Sequence, residues 1–296
     1  MYHQIARNNR NSIIVVAFFL VLWIAVGAAI FYPLYGQGGA RTGAILFGAV
    51  AVAVAVGAYY WGGGTVLAAM EAEVADPTEY AKLYATVQAL AVGDGIPTPV
   101  ICIIDDRSLN AFATGRDPSH AAIVVTSGLL QAVDSEQLEG VLAHEMSHIK
   151  NFDVRLLLFV TTLVGLAALL VKIIWSPGPD GSLTMRLFYL PVIALLSVIG
   201  FVVGPMLQLT LDRQREFLAD ARAVELTRNP YGLINALKKI ARSDVPPDHF
   251  DHAVAAMMID NPSEHHGNWF RHIFATHPPI EQRIAALERL AGAQQI

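Results

Sequence analysis

Residues 134–150, DSEQLEGVLAHEMSHIK, predict an amphipathic helix that carries two histidines on one face. Asp134 suits the N-cap position, and Gln137 can reach back to it from the third helical position. Because residues four apart lie on the same face, His144 and His148 can present both imidazoles to one ion. Apolar residues recur along the stretch at helical intervals, which supports the helix: Leu138, Val141, Leu142 and Ile149.

The residue between the histidines indicates what such an ion would do. Glu145 lies at the flank of the same face, where its carboxylate can take a proton from metal-bound water without becoming a ligand. Zinc lowers the pKa of that water toward about 7, which predicts peptide-bond hydrolysis at neutral pH. Two surface histidines that only face solvent are the plain alternative. Ser147 has no Ser-His-Asp arrangement near it in the sequence, which argues against a serine nucleophile.

A catalytic zinc ion has three protein ligands and one open position, so a third ligand is needed. Residues 212–220, DRQREFLAD, predict a helix with Glu216 and Asp220 on one face. We predict that Glu216 is the ligand and that Asp220 orients an imidazole by accepting its other N–H. One Zn²⁺ per chain follows. The alternative is a solvated charged face with Arg213 and Arg215 as partners.

The composition favours a membrane protein. Of the 296 residues, 54% are hydrophobic and 15% charged, and the net charge of −5 is spread along the chain, which argues against a nucleic-acid partner. Residues 13–34 lack charge and would form a helix about 33 Å long, enough to cross a bilayer. Residues 42–64 form a second such stretch, and Arg7 and Arg10 favour a cytoplasmic N-terminus. A cleaved signal peptide is the alternative, although its apolar core is usually shorter.

A second apolar pair separates the candidate ligands. It comprises residues 156–175, which include Lys172, and residues 187–211, with a Pro- and Gly-rich link between them. Two crossings would return the chain to the side on which it started, so His148 and Glu216 could share one ion. Two long buried helices of a soluble core are the alternative.

We therefore predict a mainly α integral membrane protein with four transmembrane helices and a cytoplasmic α+β zincin-like catalytic domain containing a small sheet. Residues 71–91 predict a helix, and residues 100–104, 110–115 and 121–126 predict an antiparallel sheet with the middle segment at an edge. Residues 280–290 predict an amphipathic helix that packs without chemistry. The predicted parts are an N-terminal hairpin at 1–64 (spans about 13–34 and 42–61), a first catalytic part at 65–155, a second transmembrane or membrane-embedded hairpin at 156–211, and a second catalytic part at 212–296.

Several motifs in this order, over nearly the whole chain, resemble the HtpX family of bacterial membrane-bound zinc endopeptidases, which is related more distantly to the CAAX prenyl proteases. They are NAFATG at 110–115, GVLAHEMSH at 140–148, the helix 213–220, and HPP at 277–279 followed by Arg283-Ile284. The resemblance implies zinc on His144, His148 and Glu216, with Glu145 as the general base. It also implies that an extended substrate adds to the edge strand formed by Asn110, Ala111, Phe112 and Ala113, and that His277 stabilises the oxyanion of the intermediate.

The function implied is proteolysis of misfolded or damaged membrane proteins at the cytoplasmic face of the bacterial plasma (inner) membrane, as part of quality control and the stress response. A CAAX-type processing protease is one alternative, disfavoured because that group has more membrane spans. A membrane scaffold with structural zinc is another, disfavoured because a structural site has no need of Glu145. The histidine-rich segment 248–272 predicts a mobile loop or cleft lid in preference to a second metal site. Oligomeric state stays open.

Overall fold

A computed structural model describes residues 2–160, 213–243, 245, 258–259 and 278–293 of the chain. Of the predicted second hairpin, only residues 156–160 are described, and they belong to a helical segment that spans 153–160. The rest of that hairpin lies outside the described residues, as does nearly all of the histidine-rich segment.

The N-terminal apolar region forms a helical hairpin, α1 (Tyr2–Ala69), that turns at Gly36. Gly36 has φ 62°, a left-handed conformation that glycine adopts without a steric cost. The two arms pack closely: a Cβ added to Gly27 would lie 2.3 Å from the carbonyl oxygen of Gly43, and the Trp23 and Phe47 rings stack at 5.8 Å. By length and composition the helix Ile5–Ala69 is able to cross a membrane.

The helix predicted over 71–91 is wrong in its first ten residues. Those residues contain a short strand, β1 (Glu73–Val74), and a turn in which the Asp76 carboxylate accepts from the backbone N of Thr78 at 2.7 Å. Aspartate before proline favours such a turn over a helix, because its side chain replaces the backbone partner that a helix would supply. Helix α2 (Ala81–Asp94) begins only after it.

The sheet is mixed, so the prediction of an antiparallel sheet is wrong. Its strands are β1, β2 (Val100–Ile104), β3 (Ala111–Gly115) and β4 (Ala121–Thr126), in the spatial order β1-β2-β4-β3. β2 and β4 are parallel because the chain crosses to the far side of β4 to form β3 before it returns. β3 therefore occupies an edge, as predicted, yet all of its residues are buried.

The central helix α4 (Ser135–Lys150) packs against the sheet, against α2 and, most extensively, against two later helices. These are α5 (Arg213–Thr227) and α6 (Pro230–Ile240), and the C-terminal helix α7 (Ile280–Ala293) packs against both. The short α3 (Ser127–Ala132) precedes α4. At Gly140 a Cβ would lie 2.5 Å from the backbone N of Leu233, so a side chain there would force α4 and α6 apart. The histidine helix is thus enclosed on several sides.

Candidate metal centre

The capping box predicted at the start of α4 is present. The Asp134 carboxylate accepts from the backbone N of Gln137 at 2.9 Å, and the Gln137 side chain accepts from the backbone N of Asp134. From this fixed start the helix turns both histidines inward, leaving His144 1% and His148 7% exposed. Their Nε2 atoms lie 3.2 Å apart. The one-turn spacing read from the sequence therefore places two imidazole nitrogens at a common point.

Glu216, on α5, completes the group. Its Oε2 lies 3.5 Å from Nε2 of His144, and its Oε1 lies 3.6 Å from Nε2 of His148. A tetrahedral ion with bonds of about 2.0 to 2.1 Å holds its ligand atoms roughly 3.3 Å apart. The three separations lie close to that value, so the described residues fit a zinc-sized ion with one position left for another ligand.

The outer nitrogens of both imidazoles face carboxylates. Nδ1 of His144 lies 2.9 Å from Oδ1 of Asp220, and Nδ1 of His148 lies 2.9 Å from Oδ2 of Asp153. When each Nδ1 donates its hydrogen, each Nε2 is left with a lone pair that points toward the Glu216 carboxylate. Two imidazole nitrogens and a carboxylate that converge in this way in a buried site can coordinate one cation, which favours a metal centre.

The electrostatics agree with a site that attracts positive charge. Burial and the nearby guanidinium of Arg283 lower the pKa of His144, but hydrogen bonds to Asp220 and Glu216 outweigh them and raise it to about 9. The carboxylates around His144 therefore favour a positive charge at this position. Burial raises the pKa of Glu145, the residue predicted to be the general base. A carboxylate with a raised pKa is suited to accept and release a proton near neutrality.

Arg283 belongs to the centre, which corrects the prediction that helix 280–290 does no chemistry. Its guanidinium is fully buried and donates two hydrogen bonds to the Asp220 carboxylate, Nε to Oδ2 at 3.0 Å and Nη2 to Oδ1 at 2.6 Å. A signal was present in the sequence, because the arginine falls on the inward stripe of α7 between apolar residues: Ile280, Leu287 and Ala291. A buried arginine there requires a carboxylate partner.

Asp153 is the second residue that the sequence reasoning missed. It follows α4, five positions after His148, in a segment where Phe152 adopts a positive φ of 60°. That turn brings the carboxylate back to the imidazole. An acidic residue just past a metal-binding helix is a weak signal in the sequence, because most such residues cap or face solvent.

The remaining predicted site residues lie at the strand edge and beyond it. On β3, the Ala111 carbonyl accepts from the backbone N of Ile259 at 3.0 Å, and Phe112 forms a bridge with Met258. Asn110 precedes the strand, and its side chain accepts from the backbone N of Ala111. The edge thus already pairs with a short piece of this chain. His277 lies outside the described residues.

A helix that presents two imidazoles and a neighbouring glutamate, joined by a carboxylate from a second helix, is how many peptidases hold their metal. This fold and centre define a metallopeptidase.

Comparisons with known proteins place the chain more closely. The profile of Peptidase family M48 matches residues 77–291, which include both ligand helices. The chain belongs to peptidase family M48. It is 42% identical to a Protease HtpX homolog of Ligilactobacillus salivarius and 36% identical to those of Lactobacillus helveticus and Streptococcus mutans, in each case over 98% of this chain and 100% of the relative. A crystal structure of S. mikatae Ste24p aligns with a TM-score of 0.48 at 16% identity, over 97% of this chain and 67% of that one.

Proposed function

We propose that the chain is a zinc endopeptidase in which His144, His148 and Glu216 hold the ion. The observation that carries the proposal is the place of Glu216. It comes from a helix on the far side of the second apolar pair, yet its two oxygens lie 3.5 and 3.6 Å from the two Nε2 atoms. A solvated charged face, the alternative for this segment, would leave Glu216 in water, whereas it is 4% exposed.

Zinc bound there would polarise the scissile carbonyl and lower the pKa of a coordinated water to about 7. Glu145 accepts a proton from the attacking water and passes it to the nitrogen of the leaving amine. Its burial supports both transfers, because the raised pKa brings the neutral and charged forms closer in free energy. Asp220 and Asp153 keep both Nδ1 atoms engaged, so that each Nε2 stays directed at the ion.

For the substrate, we propose an extended polypeptide that adds to the outer edge of β3, formed by Ala111 to Ala113 after Asn110. The Ala111 carbonyl already accepts from the backbone N of Ile259, so the edge is able to pair, and a substrate strand would have to replace residues 258–259 there. β3 also packs against α4, so a strand added there would run beside the metal centre. His277 is proposed to stabilise the oxyanion, on the family resemblance alone.

For the cellular setting, we propose a multi-pass protein of the bacterial plasma (inner) membrane with its metal centre facing the cytoplasm. Its substrates would be misfolded or damaged membrane proteins, within quality control and the stress response. The apolar hairpin α1, with exposed aliphatic side chains on both arms, supports a bilayer setting. Processing of lipidated tails and a scaffold with structural zinc remain the competing functions.

The test of the chemistry is Glu145→Gln beside wild type, purified in detergent with zinc. General acid–base catalysis contributes about 10²- to 10⁴-fold, so casein cleavage should fall by that factor while zinc content stays the same. Glu139→Gln, on the same helix, is the matched control and should cleave normally. A Glu145→Gln variant that cleaves at the wild-type rate would exclude the proposed base, and a wild-type protein that holds zinc but does not cleave would favour the scaffold.

The test of the ligand is zinc stoichiometry in Glu216→Ala beside Glu225→Ala, an exposed glutamate on the same helix. Only the first should lose the ion.

Topology is tested in whole cells by labelling Gln131→Cys and Glu225→Cys with a membrane-impermeant maleimide. Both should stay unlabelled until lysis, and labelling of only one would put α5 and α3, which directly precedes α4, in different compartments.

A further inference from the structure

The N-terminal end of the apolar hairpin α1 reaches the candidate metal centre. Asn8, near the start of α1, is 1% exposed, which is unusual for an asparagine at the end of an apolar helix. Its side-chain nitrogen donates to Oδ1 of Asp153 at 2.5 Å and to the backbone carbonyl of Asn151 at 2.9 Å. Both hydrogens of the amide are therefore committed to the segment that follows α4.

Asp153 connects this asparagine to a metal ligand. One of its oxygens accepts from Asn8, and the other lies 2.9 Å from Nδ1 of His148. The carboxylate is 1% exposed, and Nη1 of Arg215 lies 3.5 Å from the oxygen that Asn8 contacts. Two hydrogen bonds thus lead from the membrane helix to an imidazole that would hold zinc.

The contact is a fixed part of the fold. The hydroxyl of Ser12, one turn further along α1, donates to the backbone carbonyl of Asn8 at 2.9 Å and is itself buried. Next to Asn8, the side chain of Asn9 accepts from Arg155, just beyond Asp153. These contacts hold the first turns of α1 against the residues that follow the metal-binding helix.

We propose that Asn8 is a positioning residue for His148, so that the docked end of the hairpin forms part of the metal centre in addition to anchoring the chain. Asn8 fixes one oxygen of Asp153, which sets the direction of the other oxygen and thereby the plane of the imidazole. The affinity for zinc then depends on how the first turns of α1 pack against the segment that follows α4. The proposal rests on the proposed zinc site.

The test compares Asn8→Ala and Asn8→Asp with Asn11→Ala in the full-length protein in detergent. Asn11 lies one turn further along α1 and is only partly buried. Zinc affinity is measured by competition with a chromophoric chelator, at a temperature below the unfolding midpoint of every variant. Loss of a partner behind a metal-binding histidine weakens affinity about 10- to 100-fold. We expect Asn8→Ala within that range and Asn11→Ala unchanged.

Asn8→Asp keeps the shape of the side chain but replaces a donor with a carboxylate that faces Asp153. It should lose affinity at least as severely as Asn8→Ala, and its Co²⁺-substituted form should show altered ligand-field bands. For casein, kcat should fall while KM stays near the wild-type value, because the substrate edge is not touched. In an Asn8→Ala, Asp153→Asn double variant the affinity losses should not add, since both act through one path.

If both Asn8 variants bind zinc as tightly as Asn11→Ala, the positioning role is overturned. Equal loss in all three variants would also overturn it, because the effect would then be general to α1. Glu216→Ala, run alongside, separates this from failure of the proposed function. If Glu216→Ala loses zinc while the Asn8 variants keep it, only the positioning role fails; if Glu216→Ala keeps zinc, the metal site itself is wrong.

Discussion

The two imidazoles of the metal centre are supported by different regions of the molecule. Asp220 stands behind His144 and is gripped by the charged Arg283 of the C-terminal helix. Asp153 lies behind His148 and accepts a hydrogen bond from the neutral amide of Asn8, in the first turns of the apolar hairpin α1. One support is a buried ion pair between helices α5 and α7, and the other is a hydrogen bond from the apolar hairpin α1. The orientation of His144 should therefore be sensitive to changes of charge, and the orientation of His148 to changes in how α1 packs.

The largest effect should come from breaking the charged support with Arg283→Ala. Removing one partner of a buried ion pair costs about 3 to 5 kcal/mol, because the carboxylate of Asp220 stays buried without its counter-charge. Zinc affinity should fall as well, since Asp220 is then free to turn away from His144. Urea unfolding in detergent and chelator competition measure the two effects.

Arg289→Ala is the matched control, because Arg289 is exposed on the same helix. It should unfold within about 0.5 kcal/mol of wild type, as is usual for surface substitutions. An Arg283→Ala protein no less stable than this control would mean that the pair with Asp220 contributes nothing net.

A buried carboxylate outside the metal centre, that of Asp94, allows an effect on stability to be distinguished from an effect on zinc affinity. Oδ1 of Asp94, at the end of α2, lies 2.8 Å from Nζ of Lys150 and 2.5 Å from Nη2 of Arg222. Both cations are partly exposed, so Asp94→Ala should cost less than Arg283→Ala, about 2 kcal/mol. Zinc affinity of the folded protein should stay within about twofold of wild type. A tenfold loss of zinc affinity would mean that any destabilising change near α4 weakens zinc binding. Loss of affinity could then not be assigned specifically to Asp220 or Asp153.

The two supports can be ranked directly with Asp220→Asn and Asp153→Asn. Each should weaken zinc binding within the range of about 10- to 100-fold that such partners contribute. Asp220→Asn should lie near the upper end, because it leaves the guanidinium of Arg283 without its closest counter-charge. Asp153→Asn should lie near the lower end, since the new amide still offers an oxygen to Asn8. The reverse order in chelator competition would contradict the comparison.

The approach of the two histidines could be predicted because it depends on local geometry. The spacing of His144 and His148 fixes their separation once a helix forms, and the capping signals at Asp134 and Gln137 fix where that helix begins. Glu216 followed from the need for a third ligand together with a charged pair on one helical face. The histidine pair rests on residues within one helical turn, whereas Glu216 lies far along the chain from them, and the sequence left a solvated charged face open until the family resemblance favoured Glu216.

The supports were not predictable in the same way, because they are contacts between distant segments. Nothing near Asn8 in the sequence indicates that its amide meets a carboxylate after α4, and Asp153 depends on a turn with positive φ at Phe152. The mixed sheet was missed for a related reason. The lengths of the segments between strands do not show that β4 inserts between β2 and β3. Arg283 is the exception, since an arginine within the apolar stripe of an amphipathic helix already indicates a buried partner.

The smallest effect is expected from a surface contact that, like the charged support, joins α7 to a neighbouring helix. Nζ of Lys238 on α6 lies 2.7 Å from the Glu288 carboxylate on α7, with the side chains 41% and 50% exposed. Such a pair is worth about 0 to 1 kcal/mol, because water screens it and both side chains lose freedom. Lys238→Ala should therefore change the unfolding midpoint little and leave zinc affinity unchanged. A clear loss of zinc in this variant would mean that the Lys238–Glu288 pair holds α7 in position. The position of Arg283 would then depend on that surface pair and not on its ion pair with Asp220.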